Sequence, residues 1–325
     1  MFLCKLILGC VLGSRMCLEE HLGRMRIAFK VIAALLVVAL IAIAAQEYRY
    51  AKVRHDIVVD RQSIFHSSSV FHVVTLLALS TEQELLSAVR SFADVSKDVG
   101  GQIIYAGKVF QSGSSRQVPY ENWDAFILVQ FPSQDAYAKV AEDSVYQKAR
   151  TQFASSYAHG MQRSAIFNLS IPIVLLSKRV MDYVTFTPNR YPFEFTELSE
   201  DVPAEVSDQR DVLLERLSTN REYGRDAVVI LNFHKEGDAS ERESMDNYGD
   251  AMFDLMAESG NGPMHFGHGI TVEGEAIFDN VIIVYYPGVD YLAEMLQSKY
   301  FLGIIGGKRV GDAMGMLSVP LLPHL

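Results

Sequence analysis

The part of the chain after residue 65 contains the same residue pattern twice. Short motifs of a first copy return in a second copy at similar spacings. The matching pairs are Trp123-Asp124 with Phe278-Asp279, Pro132 with Pro287, Ser144-Val145-Tyr146 with Ser298-Lys299-Tyr300, Leu169-Ser170-Ile171-Pro172 with Leu317-Ser318-Val319-Pro320, and the strand-like runs 72–79 with 227–234. An internal repeat of this size predicts a duplicated domain, and this constrains the fold more than any other feature.

Composition narrows the class of protein. The chain has 325 residues, of which 49% are hydrophobic, so it can bury sizeable cores. A formal net charge of −10 argues against a nucleic-acid partner. The three cysteines, Cys4, Cys10 and Cys17, all precede the first apolar run. The rest of the chain therefore has no disulfide framework, thiolate metal site or cysteine nucleophile.

The N-terminal segment predicts export. Residues 31–45 are uninterruptedly apolar, and basic residues, the last of them Lys30, precede them. The triplet Ala42-Ile43-Ala44 suits cleavage near Ala44, so residues 1–45 form either a signal peptide or an uncleaved inner-membrane anchor. The protein would then be periplasmic or secreted, or tethered facing the periplasm. Translation from Met25 would give a conventional basic start.

Hydrophobic periodicity predicts the same element order in both copies. The first copy has predicted strands at 72–79, 103–110, 123–131 and 161–171, with helices at 80–99 and 133–157, the latter broken near 144. The second copy has predicted strands at 228–233, 264–272, 277–286 and 313–319, with helices at 240–258 and 289–306. Each copy is thus a β-α-β-β-α-β, or ferredoxin-like, unit.

The predicted fold class is α+β. One ferredoxin-like sheet has helices on one face only, so the other apolar face must be buried. We expect the two copies, residues 66–172 and 226–325, to bury these faces against each other. The result is an intramolecular α+β barrel, a monomer with pseudo-twofold symmetry. Residues 173–225 form a connecting strap with a short helix near 204–217.

The second copy resembles the dimeric α+β-barrel superfamily, and within it a family of small domains of unknown function. The resemblance rests on Leu231-Asn232-Phe233, Tyr248-Gly249, Phe278-Asp279, Tyr286-Pro287, Ser298 with Tyr300, and Lys308-Arg309. The first copy keeps Gly100-Gly101, Trp123-Asp124, Phe131-Pro132 and Ser144 with Tyr146, and it has Leu77 where the second has Asn232. The superfamily includes haem-degrading monooxygenases, lactone isomerases and haem peroxidases, and fold does not select among them.

Asn232 and His234 are the first candidate site residues. They lie two apart on a predicted strand, so they share a face and could present an amide and an imidazole to a pocket. The alternative is a structural amide and a solvent-facing histidine. His265 and His268 lie three apart, on opposite faces, so a metal pair is not expected. His268 shares its face with Phe266 and would line the pocket or hydrogen-bond in the core.

Tyr248 and Arg309 complete the candidate set because both match the family pattern. Arg309 could bind a carboxylate or phosphate, or it could pair with Asp279 or Asp312. His72 and His159 have no spaced partners, and a structural role is expected for both. The chain contains no nucleophile elbow, zinc signature, phosphate loop or dinucleotide fingerprint.

Three functions remain open from sequence. The leading hypothesis is a barrel that binds a small, partly apolar molecule in its second copy. The first alternative is an oxygenase or isomerase with Asn232, His234 and His268 at its site. The second is a structural module for protein partners. No motif indicates a cofactor, and haem enters only through the superfamily resemblance.

Overall fold

The computed structural model describes residues 24–45, 48, 69–80, 84–120, 122–197, 204–219 and 228–321. The cysteines and the first 23 residues lie outside these ranges, as do residues 81–83 near the start of the predicted helix 80–99. Helix α1 (Arg24–Ala45) has 22 residues and is almost entirely exposed. It is about 33 Å long, which is long enough to span a bilayer core of roughly 30 Å, and a signal sequence would have the same character.

Two halves with the same element order follow. The first half contains β1 (Phe71–Ala78), α2 (Leu85–Asp98), β2 (Gln102–Ser112), β3 (Ala125–Phe131), α3 (Gln134–Ala141), α4 (Ser144–Arg150) and β4 (Ser155–Arg163). Two helices, α5 (Ala165–Thr185) and α6 (Ala204–Thr219), connect the halves. The second half contains β5 (Val228–Lys235), α7 (Ala239–Ser259), β6 (Gly262–Ile270), β7 (Asn280–Tyr286), α8 (Val289–Leu296), α9 (Lys299–Ile304), a 3-10 turn (Ile305–Gly307) and β8 (Asp312–Pro320).

The eight strands form one closed antiparallel barrel in the order β1-β3-β2-β8-β5-β7-β6-β4. Within each half, the first strand lies between the third and the fourth. The halves join edge to edge where β2 pairs with β8 and β4 pairs with β6. Closure leaves no strand edge exposed, and the mixed α+β architecture predicted from the sequence is confirmed.

Alternation along the strands separates three apolar clusters. Inward side chains such as Leu76, Phe126, Phe233 and Tyr285 fill the barrel interior. Outward side chains of the first half pack under α2, α3 and α4. Those of the second half pack under α7, α8 and α9, with contributions from α5 and α6.

The aromatic-aspartate motifs occupy equivalent positions in the two halves. The Asp124 carboxylate accepts the Leu79 N–H at 2.7 Å, and the Asp124 N–H donates to the Leu77 carbonyl at 2.9 Å. In the second half, the Asp279 carboxylate accepts the Glu236 N–H at 2.7 Å, and its N–H donates to the His234 carbonyl at 2.8 Å. Leu77 is therefore the counterpart of His234.

The prediction of a fourth strand at 161–171 is wrong. The strand that closes the first half is β4, which ends at Arg163, and α5 begins two residues later. The Ser164 side chain caps that helix by accepting the Phe167 N–H at 3.2 Å. Residues 169–172 therefore lie in a helix, whereas 317–320 lie in β8, so this apparent echo has no structural meaning. The predicted helix 133–157 also ends earlier, since β4 begins at Ser155.

Candidate functional site

Asn232 and His234 lie on the outer face of β5, the face that the helices cover. Asn232 is paired with Ile282 of β7 and Gly315 of β8, and it is half-buried. His234 is paired with Asn280 of β7 and is only 7% exposed. The prediction that these two side chains share a face is confirmed, and that face lies outside the barrel interior.

His234 is a buried imidazole with an unused nitrogen. Its Nε2 is buried and makes no hydrogen bond to any residue that the structure describes. Burial, and secondarily the positive charge of Lys308, lowers the pKa of His234 from 6.5 to about 3. The ring is therefore neutral at physiological pH, with one N–H donor and one lone pair.

A row of polar residues continues from His234 across the outer face. Asn280 of β7 is paired with His234 on one side and with His268 of β6 on the other. Asn280 is half-buried and His268 is exposed. The structure thus places His268 on the same face as His234, two strands away, with its imidazole open to solvent. Asn280 was missed from sequence, although its position directly after Asp279 could have indicated it.

The first half has smaller or apolar residues at the same positions, and all of them are fully buried. The counterpart of His234 is Leu77 and that of Asn280 is Ala125, and both are fully buried in the core under α2. The counterpart of Asn232 is Thr75, not Leu77 as the sequence alignment suggested. Thr75 is fully buried near the Tyr146 hydroxyl. Burial raises the pKa of Tyr146, and the Thr75 side chain offsets part of that rise. Of these positions, His234 is the one with a buried nitrogen that has no hydrogen-bond partner among the described residues, while Thr75 Oγ1 of the first half is a buried oxygen in the same condition.

Glycine leaves space beside Asn232. Gly315 of β8 lies opposite Asn232, where the first half has Ala158 opposite Thr75. A Cβ atom at Gly315 would be 3.7 Å from Asn232 Oδ1 and 3.9 Å from the Leu231 carbonyl oxygen. The amide therefore borders a gap large enough for at least a methyl group.

Tyr248 and Arg309 lie farther from this row. Tyr248 of α7 is half-buried. It adds to the effect of burial in raising the pKa of Tyr286, which is paired with Val228 at the other end of β5. Arg309 is exposed, and its Nε donates to the Gly306 carbonyl at 3.4 Å. In the described part of the chain, Arg309 makes no ion pair with Asp279 or Asp312, the two structural partners considered from sequence.

The barrel interior holds three buried histidines that sequence reasoning set aside. His72 and His159 are 0% exposed and His265 is 4% exposed. The Tyr157 hydroxyl and His159 Nδ1 are 3.0 Å apart, and burial lowers the pKa of His159 to about 4. The rings of His72 and His265 have centroids 6.2 Å apart. Strand parity could have placed His72 and His159 inside, because His72 alternates in phase with Leu76.

The arrangement of these side chains decides whether they could hold a metal ion or a haem. The described residues contain no group of three or more histidine, cysteine, aspartate or glutamate side chains able to hold a metal ion. His265 and His268 face opposite sides of β6 and cannot act together. A haem needs a single axial imidazole, and His234 Nε2 fits that requirement because it is neutral, buried and without a partner among the described residues.

The fold is a closed α+β barrel, and a row of polar side chains on the outer face of its second half forms the candidate site. No protein-family model matches the chain, and no curated protein matches it by sequence. Among solved structures, the chain is similar to an anthrone oxidase-like protein at 9% identity and a TM-score of 0.43, covering 79% of this chain and 94% of that one.

Two further solved structures are similar over comparable lengths. A chlorite dismutase variant from Candidatus Nitrospira defluvii has 12% identity and a TM-score of 0.42, covering 81% of this chain and 96% of that one. A protein described as a monooxygenase, from Lactobacillus acidophilus NCFM, has 9% identity and a TM-score of 0.36, covering 78% and 94%. These proteins belong to the dimeric α+β-barrel superfamily. At such low identities and TM-scores the likeness carries no argument about activity.

Proposed function

We propose that the protein binds a small, partly apolar molecule on the outer face of its second half, at Asn232 and His234. The observation that carries this proposal is the buried His234 Nε2, which has no hydrogen-bond partner among the described residues. Leaving such a group unsatisfied costs about 1–3 kcal/mol. The first half avoids that cost with Leu77, so the second half keeps an unfavourable residue where a ligand would satisfy it.

The surroundings indicate the chemical class of the ligand. A neutral imidazole and a primary amide offer both donors and acceptors, which suits a carbonyl, phenol or similar oxygen function. Lys308 adds positive charge near His234 and favours an oxygen that carries partial or full negative charge. Ile282 supplies apolar lining, and the gap beside Gly315 supplies space for the ligand. Tyr248, His268 and Arg309 would contact only a ligand that extends beyond this centre.

The second candidate function is catalysis of the oxygenase or isomerase type. It is favoured by the neutrality of His234, since a neutral imidazole can accept a proton from a weakly acidic C–H or O–H group. Asn232 would then donate a hydrogen bond to the developing oxyanion, and Lys308 would stabilise its charge. A haem bound at the same place would supply redox chemistry, with His234 Nε2 as its protein ligand.

The proposal includes the setting of the site. The two halves would be tandem ferredoxin-like repeats, residues 66–172 and 226–325, joined by the strap 173–225. The first repeat would serve as a packing surface and the second would keep the polar site. The segment 1–45 would export the chain and, if it is not cleaved, tether it to the membrane as a monomer.

Ligand retention tests the proposal directly. The full chain is purified from its source and analysed by native mass spectrometry for co-purified haem or another small molecule. Three variants replace site residues with their first-half counterparts: Asn232→Thr, His234→Leu and Gly315→Ala. We expect each to fold and to lose the bound molecule, because Gly315→Ala fits sterically yet narrows the gap beside the amide.

Gln162→Ala is the matched control, since Gln162 is an exposed residue of the same outer face, opposite His268. It should retain the molecule. Retention that is unchanged in His234→Leu would contradict the proposal. Anthrone, an apolar carbon acid, is a suitable probe for the catalytic alternative. Oxygen uptake that depends on His234 would support catalysis, and binding without uptake would favour the binding role.

A further inference from the structure

Helix α5 has one face that belongs to the fold. Asn168, Ile171, Leu175 and Asp182 follow one another at separations of three, four and seven residues, so they share one side of the helix, and all are buried. This face packs on α7 and β6. The Asn168 amide, for example, donates to the Phe266 carbonyl of β6 at 3.1 Å. The helix is therefore held in a defined orientation against the barrel.

The opposite face of α5 is apolar and exposed. Ile166 is 83% exposed, Val180 51%, Met181 61% and Val184 66%. Their spacing of 14, 15 and 18 residues from Ile166 places them along one side of the helix. Phe186, in the left-handed position that ends α5, is 91% exposed. On the same side between them, the hydroxyls of Ser170 and Ser177 donate to the Phe167 and Ile173 carbonyls of the helix itself, at 2.6 and 2.8 Å. Large exposed apolar side chains at both ends of one side of a helix are unusual on a surface that only water contacts.

Charged groups beside the stripe are turned away or occupied. Lys178 pairs with Asp250 and Asp254 of α7 at 2.7 and 2.8 Å. The guanidinium of Arg179 lies over the Tyr183 ring, 4.5 Å from its centroid. The stripe itself thus presents hydrocarbon, with an aromatic and arginine group at its C-terminal end, as is typical of helices at a membrane interface.

We propose that this stripe of α5 lies in the surface of the lipid bilayer into which α1 inserts. The inference rests on the proposed tether, because α1 is long and apolar enough to span a membrane and is joined to β1 by about 25 residues. A barrel held that close to a bilayer meets lipid at high effective concentration. Contact through α5 would orient the barrel and fix which side of it faces the membrane.

The size of the stripe favours lipid over a second copy of the chain. A helix of 21 residues is about 31 Å long, and an apolar stripe about 10 Å wide gives roughly 300 Å². Two such stripes packed together would bury roughly 600 Å², well below the roughly 1,000 Å² of a stable interface. A bilayer has no such requirement, since each exposed side chain inserts independently.

Tryptophan fluorescence tests the inference. The full chain, with Val184→Trp, is reconstituted in phosphatidylcholine vesicles with and without brominated acyl chains. The native Trp123 is 4% exposed inside the protein and gives a constant background. We expect brominated lipid to reduce the emission of the new tryptophan about twofold, because its ring would lie among acyl chains. Val180→Trp should behave alike.

Val145→Trp is the matched control, a valine of α4 in the first half that is 58% exposed. Its emission should not respond to brominated lipid. Flotation of the chain with vesicles, without quenching at position 184 or 180, would overturn the inference and leave the tether intact. Failure to float would overturn both. Shifted but unquenched emission, with a dimer by light scattering, would assign the stripe to a second copy instead.

Discussion

His234 gives the second half its character at the scale of single residues. An imidazole that is 7% exposed, with an unused nitrogen, is less favourable for stability than the leucine at the equivalent position of the first half. A buried polar atom without a hydrogen-bond partner is uncommon in native structures and calls for an explanation, and a bound ligand is one such explanation.

The same burial makes stability depend on pH. The pKa of His234 is about 6.5 in the unfolded chain and about 3 in the folded one, so only the unfolded state binds the proton between these values. Stability is therefore lost as pH falls from 6.5 toward 3. We expect His234→Leu to be more stable than wild type at pH 7, and its advantage to grow by roughly 2 kcal/mol at pH 5.

Unfolding midpoints of both proteins in mild detergent, at pH 7 and pH 5, measure this difference. His159, with a pKa of about 4, is present in both proteins and cancels in the comparison. Gln162→Leu is the control, because it replaces an exposed side chain that does not ionise, and its stability relative to wild type should not change with pH. An advantage of His234→Leu that stays constant between pH 7 and pH 5 would contradict the assigned burial.

The sequence identified residues of the candidate site but matched them with the wrong residues of the first half. Strand periodicity placed Asn232 and His234 on one face because a strand alternates with period two. Aligning the two copies two residues out of step still leaves every apolar side chain on the same face of the strand. The pattern could not reveal this error, and Leu77 was therefore matched with Asn232. The equivalent hydrogen bonds of Asp124 and Asp279 establish which residue of the first half corresponds to which residue of the second.

At the scale of elements, the main error concerned α5. An apolar run bounded by polar residues is compatible with a buried strand and with a helix, and periodicity alone does not separate them. The run containing Leu169-Ser170-Ile171-Pro172 was assigned to a strand because it echoed the end of the chain. The helix-capping Ser164 was the decisive local signal, because its side chain satisfies the N–H of Phe167.

The aspartates that join strand ends offer a matched pair of tests. We expect Asp124→Ala to destabilise the protein by about 1–3 kcal/mol, because the Leu79 N–H is partly buried and loses its acceptor. Asp279→Ala should cost less, since the Glu236 N–H is exposed and water can replace the carboxylate. Urea unfolding of both variants measures the order.

Asp94→Ala is the control for these variants. Asp94 forms an ion pair with Lys97 in which both side chains are about half exposed, so its loss should change stability by less than about 0.5 kcal/mol. Equal losses in Asp124→Ala and Asp279→Ala would show that burial of the two N–H groups does not decide their energetic weight.

At the scale of the whole molecule, the halves are parts of one barrel and not neighbouring domains. Hydrogen bonds cross between them along two seams, β2 with β8 and β4 with β6. The interior cluster draws on both halves, and the Tyr105 hydroxyl of the first lies 2.9 Å from Ser318 Oγ of the second. Either half alone would expose two strand edges and the apolar inner face of its sheet.

A chain cut between the halves should therefore remain one particle. A protease site inserted between α6 and β5, after Thr219 and before Val228, would sever the only covalent link without touching a described strand. We expect the cleaved protein to elute in mild detergent as one species of unchanged mass, and to separate into two fragments only when denatured. Both seams and the shared interior must open together for the halves to part. Light scattering before and after cleavage measures the mass. Separation of the fragments under native conditions would contradict the single-barrel assembly, and a dimeric mass that halves on cleavage would show that the seams are formed between chains.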